Sequence, residues 1–246
     1  MAVVTLLRDL PSRGRLLDVG AGHGTLATAA SSLGFDVTAA DLASPDRSRQ
    51  NGSVGWVRAN AAVSLPFRGD SFDVVTCVEV IEHVEDQFQL VREVVRVIRP
   101  GGLLLLSTPN VLNLASRVRF LLSGTYSLFE RPVNELQKNP AEDHIHPISY
   151  YQLRYILMWS GFESLGVTTD RFRNSALWLS PMIPFVTLAT WLALRKEKDS
   201  GQRGRNSEVL RHVLSPSILF GRTQVVVARK APRPVVPAGP LSPRLS

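Results

Sequence analysis

Residues 16–26 read LLDVGAGHGTL, a short apolar run that meets an acid and then passes into glycine at every second position. Gly20, Gly22 and Gly24 in such close succession suit neither a helix interior nor a regular strand. The segment predicts a buried strand over 15–19, a tight turn, and a helix over 25–32. A helix N-terminus exposes free N–H groups, so this turn offers backbone donors to an anion such as a carboxylate. The next apolar run, DVTAAD at 36–41, ends on Asp41. A carboxylate at that strand end can accept hydrogen bonds from both hydroxyls of a ribose.

The same alternation continues for another seventy residues. A weaker strand is predicted over 54–58 and a β-branched one over 72–78 (FDVVTCV). Leu90, Val91, Val94, Val95 and Ile98 fall at three-and-four spacing, which predicts an amphipathic helix over 88–98 that Pro100-Gly101-Gly102 ends. A fifth strand follows over 103–108. Strands joined by helix-length crossovers imply an α/β fold, a parallel sheet with helices on both faces. Beyond it the pattern predicts a helix over 111–122, a long polar loop over 124–147, a helix over 150–160, and strands over 163–169 and 224–228. This divides the chain into a core over 1–170 with a lid at 111–148, an apolar and basic insertion at 171–222, a last core strand at 223–230, and a tail at 231–246. Five prolines in the sixteen tail residues lead us to expect disorder there.

A single cysteine, Cys77, excludes an internal disulfide framework and any multi-cysteine zinc site, and it fits a reducing compartment. Residues 1–10 carry Arg8 and Asp9 inside a short apolar run and read as no secretory signal, so a cytoplasmic protein is expected. Charge is unevenly divided. Residues 1–194 hold 17 Lys+Arg and 18 Asp+Glu, whereas residues 195–246 hold 11 and 3. The basic end suits a phosphate-rich partner, an anionic membrane surface or a nucleic acid.

Four stretches together resemble one family. LLDVGAGHGTL, the strand end at Asp41, LPFRGDSFDVVTCVEVIEHV (65–84) and RPGGLLLLSTPN (99–110) are similar to the class I S-adenosylmethionine-dependent methyltransferases, closest to the ubiquinone-biosynthesis O-methyltransferase type. A weaker echo lies at 143–162. The spacing G-x-G-x-G also departs from the G-x-G-x-x-G of dinucleotide-binding folds, which stand as the alternative. The resemblance implies a Rossmann-like, seven-stranded, mostly parallel sheet with an antiparallel last strand, and S-adenosylmethionine as cofactor. On that pattern Gly20, Gly22 and Gly24 pack against its methionine end, Asp41 holds the ribose, and Asn60 lies beside the adenine. Asp18, Ala61 and Cys77 complete the implied cofactor-binding set. Such enzymes carry capping helices ahead of the first strand; residues 1–14 are too few for them, so residues 111–148 are expected to form the lid.

Methyl transfer from a sulfonium is an in-line displacement, and the protein has mainly to align a nucleophile and take its proton. Glu79, Glu82 and His83 follow the fourth strand, at the carboxyl edge where open α/β sheets bind ligands. On a helix, positions i, i+3 and i+4 share a face, and two carboxylates with an imidazole could there hold Mg²⁺ or another divalent cation. The resembled family has members with a metal at E-x-x-E-H. Against that, the segment reads equally as a helix start with acids at its positive end. His83, His144 and His146 are the candidate general bases, because imidazole titrates in the right range. The Asn/Asp-Pro-Pro-aromatic turn of exocyclic-amine methylation is replaced by CVEVIE, and the basic end lacks interleaved aromatics, so nucleic acid is ranked low.

Residues 174–194 (NSALWLSPMIPFVTLATWLAL) hold no charge, and Arg195, Lys196 and Lys198 follow. Strands on either side belong to one sheet, so a single membrane span is impossible, and two spans would need twice the length. Pro181 and Pro184 interrupt a helix near its start. A kinked helix lying in the bilayer interface meets these constraints, with Trp178 and Trp191 at headgroup depth and the basic cluster on anionic lipid. The alternative is a buried helix or a homodimer contact. The sequence therefore predicts O-methylation of a hydroxyl on a lipid-linked or membrane-proximal small-molecule acceptor, a quinone precursor or lipid-carried sugar, by a peripheral or monotopic protein at the inner membrane face. A small-molecule methyltransferase with a dimerising segment and a non-catalytic S-adenosylmethionine-binding protein are the alternatives.

Overall fold

The computed structural model describes residues 2–43, 53–129 and 144–232. A short helix α1 (Ala2–Arg8) leads into β1 (Arg15–Val19), then α2 (Thr25–Ser32), β2 (Asp36–Asp41) and β3 (Val54–Arg58). Next come β4 (Phe72–Val78), α3 (Gln87–Val97), β5 (Ile98–Pro109) and α4 (Leu114–Ser123). The remainder is α5 (Tyr150–Trp159), β6 (Phe162–Thr168), α6 (Asn174–Leu177), α7 (Ile183–Arg195), α8 (Ser200–Val213), α9 (Pro216–Phe220) and β7 (Thr223–Lys230).

All seven strands join one sheet in the order β3-β2-β1-β4-β5-β7-β6. β1 to β5 pair in parallel, and β7 inserts antiparallel between β5 and β6. The order reverses between β1 and β4, so the carboxyl ends of β1, β2 and β4 open on one crevice, the place where such sheets bind ligands. Two apolar layers hold the sheet. Leu17, Val75, Leu104, Leu106 and Val226 face α3 and α5, while Leu16, Val37, Ala39 and Leu105 face α1 and α2. Alternate residues of β1 and β5 thus serve opposite faces, as the strand period requires.

Three elements differ from the sequence expectation. The third helix stops at Val97, and Ile98 is already extended, so β5 runs through the RPGG that was expected to separate helix from strand. Proline holds the residue before it extended, and Gly101 at φ 76° absorbs the shift in register between Phe72 and Val74. Residues 200–220, which carry no strong periodicity, form α8 and α9, capped by Asp199 and Ser215. The apolar stretch breaks as expected at its prolines. Pro184 sits in the first turn of α7, where its missing N–H costs nothing. Within the stretch expected to form a lid, residues 114–123 form α4, capped by Asn113; residues 130–143 and the tail 233–246 lie outside the described residues.

Candidate active site

The three glycines of the first turn all lie at positive φ, 69°, 53° and 76°, but their surroundings differ. A Cβ on Gly20 would stand 2.3 Å from Val80 Cγ2, and one on Gly24 would strike the Trp56 ring at 2.6 Å. These two glycines are needed for packing. A Cβ on Gly22 would meet nothing within 4 Å and would project into open space. Of the three, Gly22 is the one whose Cβ position stands open.

Asp41 closes the turn from the neighbouring strand. Its Oδ2 accepts from the Gly22 N–H at 2.8 Å and its Oδ1 from the Ala43 N–H at 2.8 Å. Beneath the turn Asp18 is buried, with Oδ1 accepting from the Thr76 hydroxyl at 2.7 Å and Oδ2 without a partner. Burial, opposed by the Thr76 bond, pushes the Asp18 carboxyl up to about 7. Asn60 follows β3 on the same edge; its Oδ1 accepts from the Ala62 N–H at 3.0 Å, and Ala61 packs half-buried against the core. Cys77 lies fully inside the core, where burial raises its thiol, and it presents no surface to the crevice.

Residues 79–84 do not form a helix. Glu79 takes a left-handed conformation, φ 54°, and a single 3₁₀ turn follows over Ile81–His83. The shared helical face expected for Glu79, Glu82 and His83 is therefore absent. Glu79 turns back onto β5, its N–H donating to Ser107 O at 3.0 Å and its carboxylate accepting from the Ser107 hydroxyl at 2.9 Å. Non-glycine residues in this region cost about 1–3 kcal/mol and collect at functional sites.

What gathers instead is Glu82, His83 and His144, each offering a ligand atom within 4.8 Å of the others. Two backbone bonds make the juncture: the N–H groups of Ile145 and His146 both donate to Glu82 O at 3.0 Å. The imidazoles of His83 and His144 meet edge to face, centroids 4.8 Å apart. His144 Nδ1 lies 2.9 Å from Leu128 O. A carbonyl only accepts, so Nδ1 carries the proton and Nε2 keeps its lone pair. Glu82 is fully buried and neither of its carboxylate oxygens has a hydrogen-bond partner. Burial, with the Glu79 charge next, pushes it up to about 8. His146 is exposed, and the grouped ligand atoms are those of Glu82, His83 and His144. Sequence reasoning missed Ser107 and Leu128, whose roles depend on strand register and on a loop carbonyl. It also missed Arg222, just before β7, and Asp170, just after β6, whose charges act on Glu79.

Comparison with known proteins adds the family. Residues 17–106 match a family model described as "Methyltransferase domain". The matched stretch covers 90 of the 246 residues. It is 39% identical over 108 residues to a ubiquinone biosynthesis O-methyltransferase of Xanthomonas axonopodis pv. citri, a match covering 41% of this chain and 45% of that protein. A Caulobacter protein of the same description is 37% identical over 103 residues, 39% of this chain and 41% of its own. The chain thus spans under half the length of these curated relatives. The whole fold is similar to an Archaeoglobus fulgidus SAM-dependent methyltransferase, at TM-score 0.56, 18% identity and 93% coverage of each chain. It is also similar to Haemonchus contortus phosphoethanolamine N-methyltransferase 2 in complex with S-adenosyl-L-methionine, at TM-score 0.53 and 17% identity, over 94% of this chain and 51% of that one. The matched stretch contains both the glycine turn and the start of the Glu82 cluster.

Proposed function

We propose that this chain is an S-adenosylmethionine-dependent methyltransferase acting on a hydroxyl of a membrane-proximal small molecule. The observation that carries the reading is the Gly22–Asp41 juncture, an open backbone approach beside a fixed carboxylate, facing a carboxylate–imidazole cluster across the same sheet edge. The residues fit the cofactor. Gly22 leaves room for it, Asp41 retains acceptor capacity for ribose hydroxyls, and the unpartnered oxygen of Asp18 suits a cationic ligand nearby. When bound, S-adenosylmethionine would supply an activated methyl group open to attack by an acceptor oxygen, with S-adenosylhomocysteine as the leaving group.

The acceptor's proton falls to His144. Its Nδ1–H is spent on Leu128 O, so in the neutral ring Nε2 is the accepting atom, and above the pH at which Glu82 ionises its carboxylate lies close enough to stabilise the imidazolium. The same three side chains fit a divalent cation, which would supply Lewis-acid charge to lower a hydroxyl pKa. Two imidazoles and one carboxylate favour a transition ion such as Mn²⁺ or Zn²⁺ over Mg²⁺, which prefers oxygen ligands.

Membrane proximity is supported by the surface. Leu121, Leu122 and Phe120 at the end of α4, and Trp178, Phe185 and Leu188 along α6 and α7, are all large apolar side chains open to solvent. Lone exposed apolar residues are ordinary, but elements as close as α4 and α6 make a shared patch. Arg195 lies over the Trp191 ring at 4.9 Å, and Lys196 and Lys198 follow it. At thirteen residues α7 is about 20 Å long, shorter than the ~30 Å hydrocarbon core. Among the described residues no helix is long and apolar enough to cross a membrane. The geometry fits a helix that lies in the interface. The test is transfer of labelled methyl from S-adenosylmethionine to a panel of phenolic and sugar hydroxyls presented in vesicles. Binding of the cofactor without turnover of any member would leave a non-catalytic binding protein.

A further inference from the structure

The basic residues that follow α7 are gathered on one wall of a cavity away from the crevice. After Leu194 the chain reads RKEKD, and Lys196, Lys198 and Arg205 line a hollow of about 880 Å³ between α5 and the α7–α8 pair. Gly22, Asp41, Glu82 and His144 take no part in that lining. Arg154 also reaches the cavity, but its guanidinium is engaged by Glu208 at 2.8 Å and by the Tyr150 hydroxyl at 3.3 Å. Glu197 is the acid on the wall, and its carboxylate accepts from the Asp199 N–H at 2.9 Å. Among the described residues Lys196, Lys198 and Arg205 form no ion pair, so three cations face one acid.

The α5 wall is aromatic. Tyr151, Tyr155 and Trp159 stand at i, i+4 and i+8 and so share one face. The Tyr155 and Trp159 rings stack at 6.1 Å between centroids, and both stay more than half exposed. Helices α7 and α8 form a hairpin, pinned where the Asn206 amide donates to Leu194 O at 3.1 Å. Along α7 lies a second hollow of about 470 Å³, lined by Ile183, Pro184, Thr187, Leu188 and Trp191 with Leu210 of α8. No charged side chain lines it. Trp191 of this hollow and Leu194 of the first stand at i and i+3 on α7, so the two adjoin, and the Arg195 guanidinium lies over the Trp191 ring at 4.9 Å.

We propose that the two hollows hold one anionic phospholipid, its phosphate among Lys196, Lys198 and Arg205 and an acyl chain along α7. Each feature selects a part of that ligand. Ammonium and guanidinium groups make strong, charge-assisted hydrogen bonds to phosphate oxygens. Arg205 donates from Nε to Gln202 Oε1 at 3.2 Å, which leaves its two terminal nitrogens for the ligand. Tyrosine and tryptophan rings suit the depth where headgroup meets hydrocarbon. A hollow without charge gives nothing to a nucleotide or to inorganic phosphate, but it gains by covering a hydrocarbon chain. The first cavity also falls within the range of roughly 300–1,000 Å³ that small-molecule sites occupy. The inference deepens the membrane-proximal reading, on which it rests for the supply of lipid, by turning a surface into a site for a single molecule.

The test is calorimetry of the full chain with dihexanoyl phosphatidylglycerol kept below its micellar concentration, with native mass spectrometry to count bound lipid. Saturable binding of one lipid per chain is expected. Lys196→Gln/Lys198→Gln/Arg205→Gln should weaken it by roughly tenfold or more, the scale of losing a charge-assisted contact, with circular dichroism unchanged. Arg8→Gln/Arg68→Gln/Arg203→Gln removes the same charge from exposed positions outside the cavity and should leave the affinity as in wild type. The proposal is overturned if the lipid does not bind, or if the two triple variants weaken it equally. It is overturned as well if dihexanoyl phosphatidylcholine binds as tightly, since the cations would then read nothing. Glycerol phosphate or a single-stranded oligonucleotide binding as tightly as the lipid would assign the cavity to free phosphate or to nucleic acid instead. The readout uses neither vesicles nor methyl transfer, so it fails separately from the readings above.

Discussion

The Gly22 N–H donates to Asp41 Oδ2 at 2.8 Å, tying the turn after β1 to the end of β2 across nineteen residues of sequence. The bond fixes the backbone of the turn, and the glycines around it divide into two kinds. Gly22→Ala should leave the fold nearly intact, because its Cβ enters open space and only the positive φ opposes it, at about 1 kcal/mol. It should nevertheless abolish S-adenosylmethionine binding. Gly24→Ala should instead lower thermal stability by crowding Trp56. Asp41→Ala should weaken the cofactor by about 1.5–3 kcal/mol, the scale of a hydrogen bond to a charged group. Calorimetry on folded variants checks each; wild-type affinity in Gly22→Ala would remove the binding site from this turn.

Asp18 makes stability depend on pH in an unusual direction. Its carboxyl is raised to about 7 by burial, so the folded state holds a proton that the unfolded chain releases near 3.8. Stability from this group is fully present below pH 4 and is lost as pH rises to 7, by about 4 kcal/mol for three units. Asp18→Asn should flatten that slope. A cationic ligand favours the ionised acid, so S-adenosylmethionine should bind more tightly as pH rises through 7, with proton uptake by buffer. Denaturant titrations between pH 4 and 8 that show no difference between wild type and Asp18→Asn would contradict the assignment.

Glu82 predicts a trade between stability and activity. A carboxylate buried with no hydrogen-bond partner is costly, and its raised pKa means that the cost is complete above about pH 8. Glu82→Gln keeps the volume and removes the charge. The variant should melt at higher temperature than wild type at pH 8.5 and should lose methyl transfer by roughly 10²–10⁴. His144→Ala should lose a similar factor with cofactor affinity unchanged. If chelation removes activity and Mn²⁺ restores it, the three side chains act as ligands; full activity after chelation assigns His144 as the proton acceptor alone.

The sheet was legible because its signals are local. Val74, Val75 and Cys77 are β-branched or apolar neighbours, and Gly20 to Gly24 mark the turn in a run of five residues. The positions of Asp18 and Asp41 were legible for the same reason, since both stand near strand ends. The cluster was only half legible. Glu82 and His83 adjoin in sequence, but His144 arrives through two backbone bonds to Glu82 O from sixty residues away, and spacing cannot report that. The helical face assumed for residues 79–83 failed because Glu79 turns left-handed to reach Ser107. Helices α8 and α9 were missed because α8 is held to the body by tertiary bonds, Arg154 to Glu208 at 2.8 Å and Tyr150 to His212, rather than by an apolar stripe.

Attachment to membranes should survive salt but depend on α7. Trp178 is 88% exposed and Phe185 75%, values that large aromatic side chains seldom hold without a partner. Each Lys or Arg near an anionic surface adds about 1 kcal/mol, so Arg195, Lys196 and Lys198 should orient the helix and respond to ionic strength. The apolar residues supply the portion that salt does not screen. Wild-type protein should float with phosphatidylglycerol-containing vesicles, less with neutral ones, and partly even in about 0.5 M salt, roughly three times the strength at which the Debye length is about 8 Å. Trp178→Ser/Phe185→Ser/Leu188→Ser should stay at the bottom of the gradient while binding S-adenosylmethionine as tightly as wild type, because none of the three lies at the crevice of β1, β2 and β4. A wild-type chain that sediments with neither vesicle and elutes as a discrete dimer would make this face a contact between subunits instead.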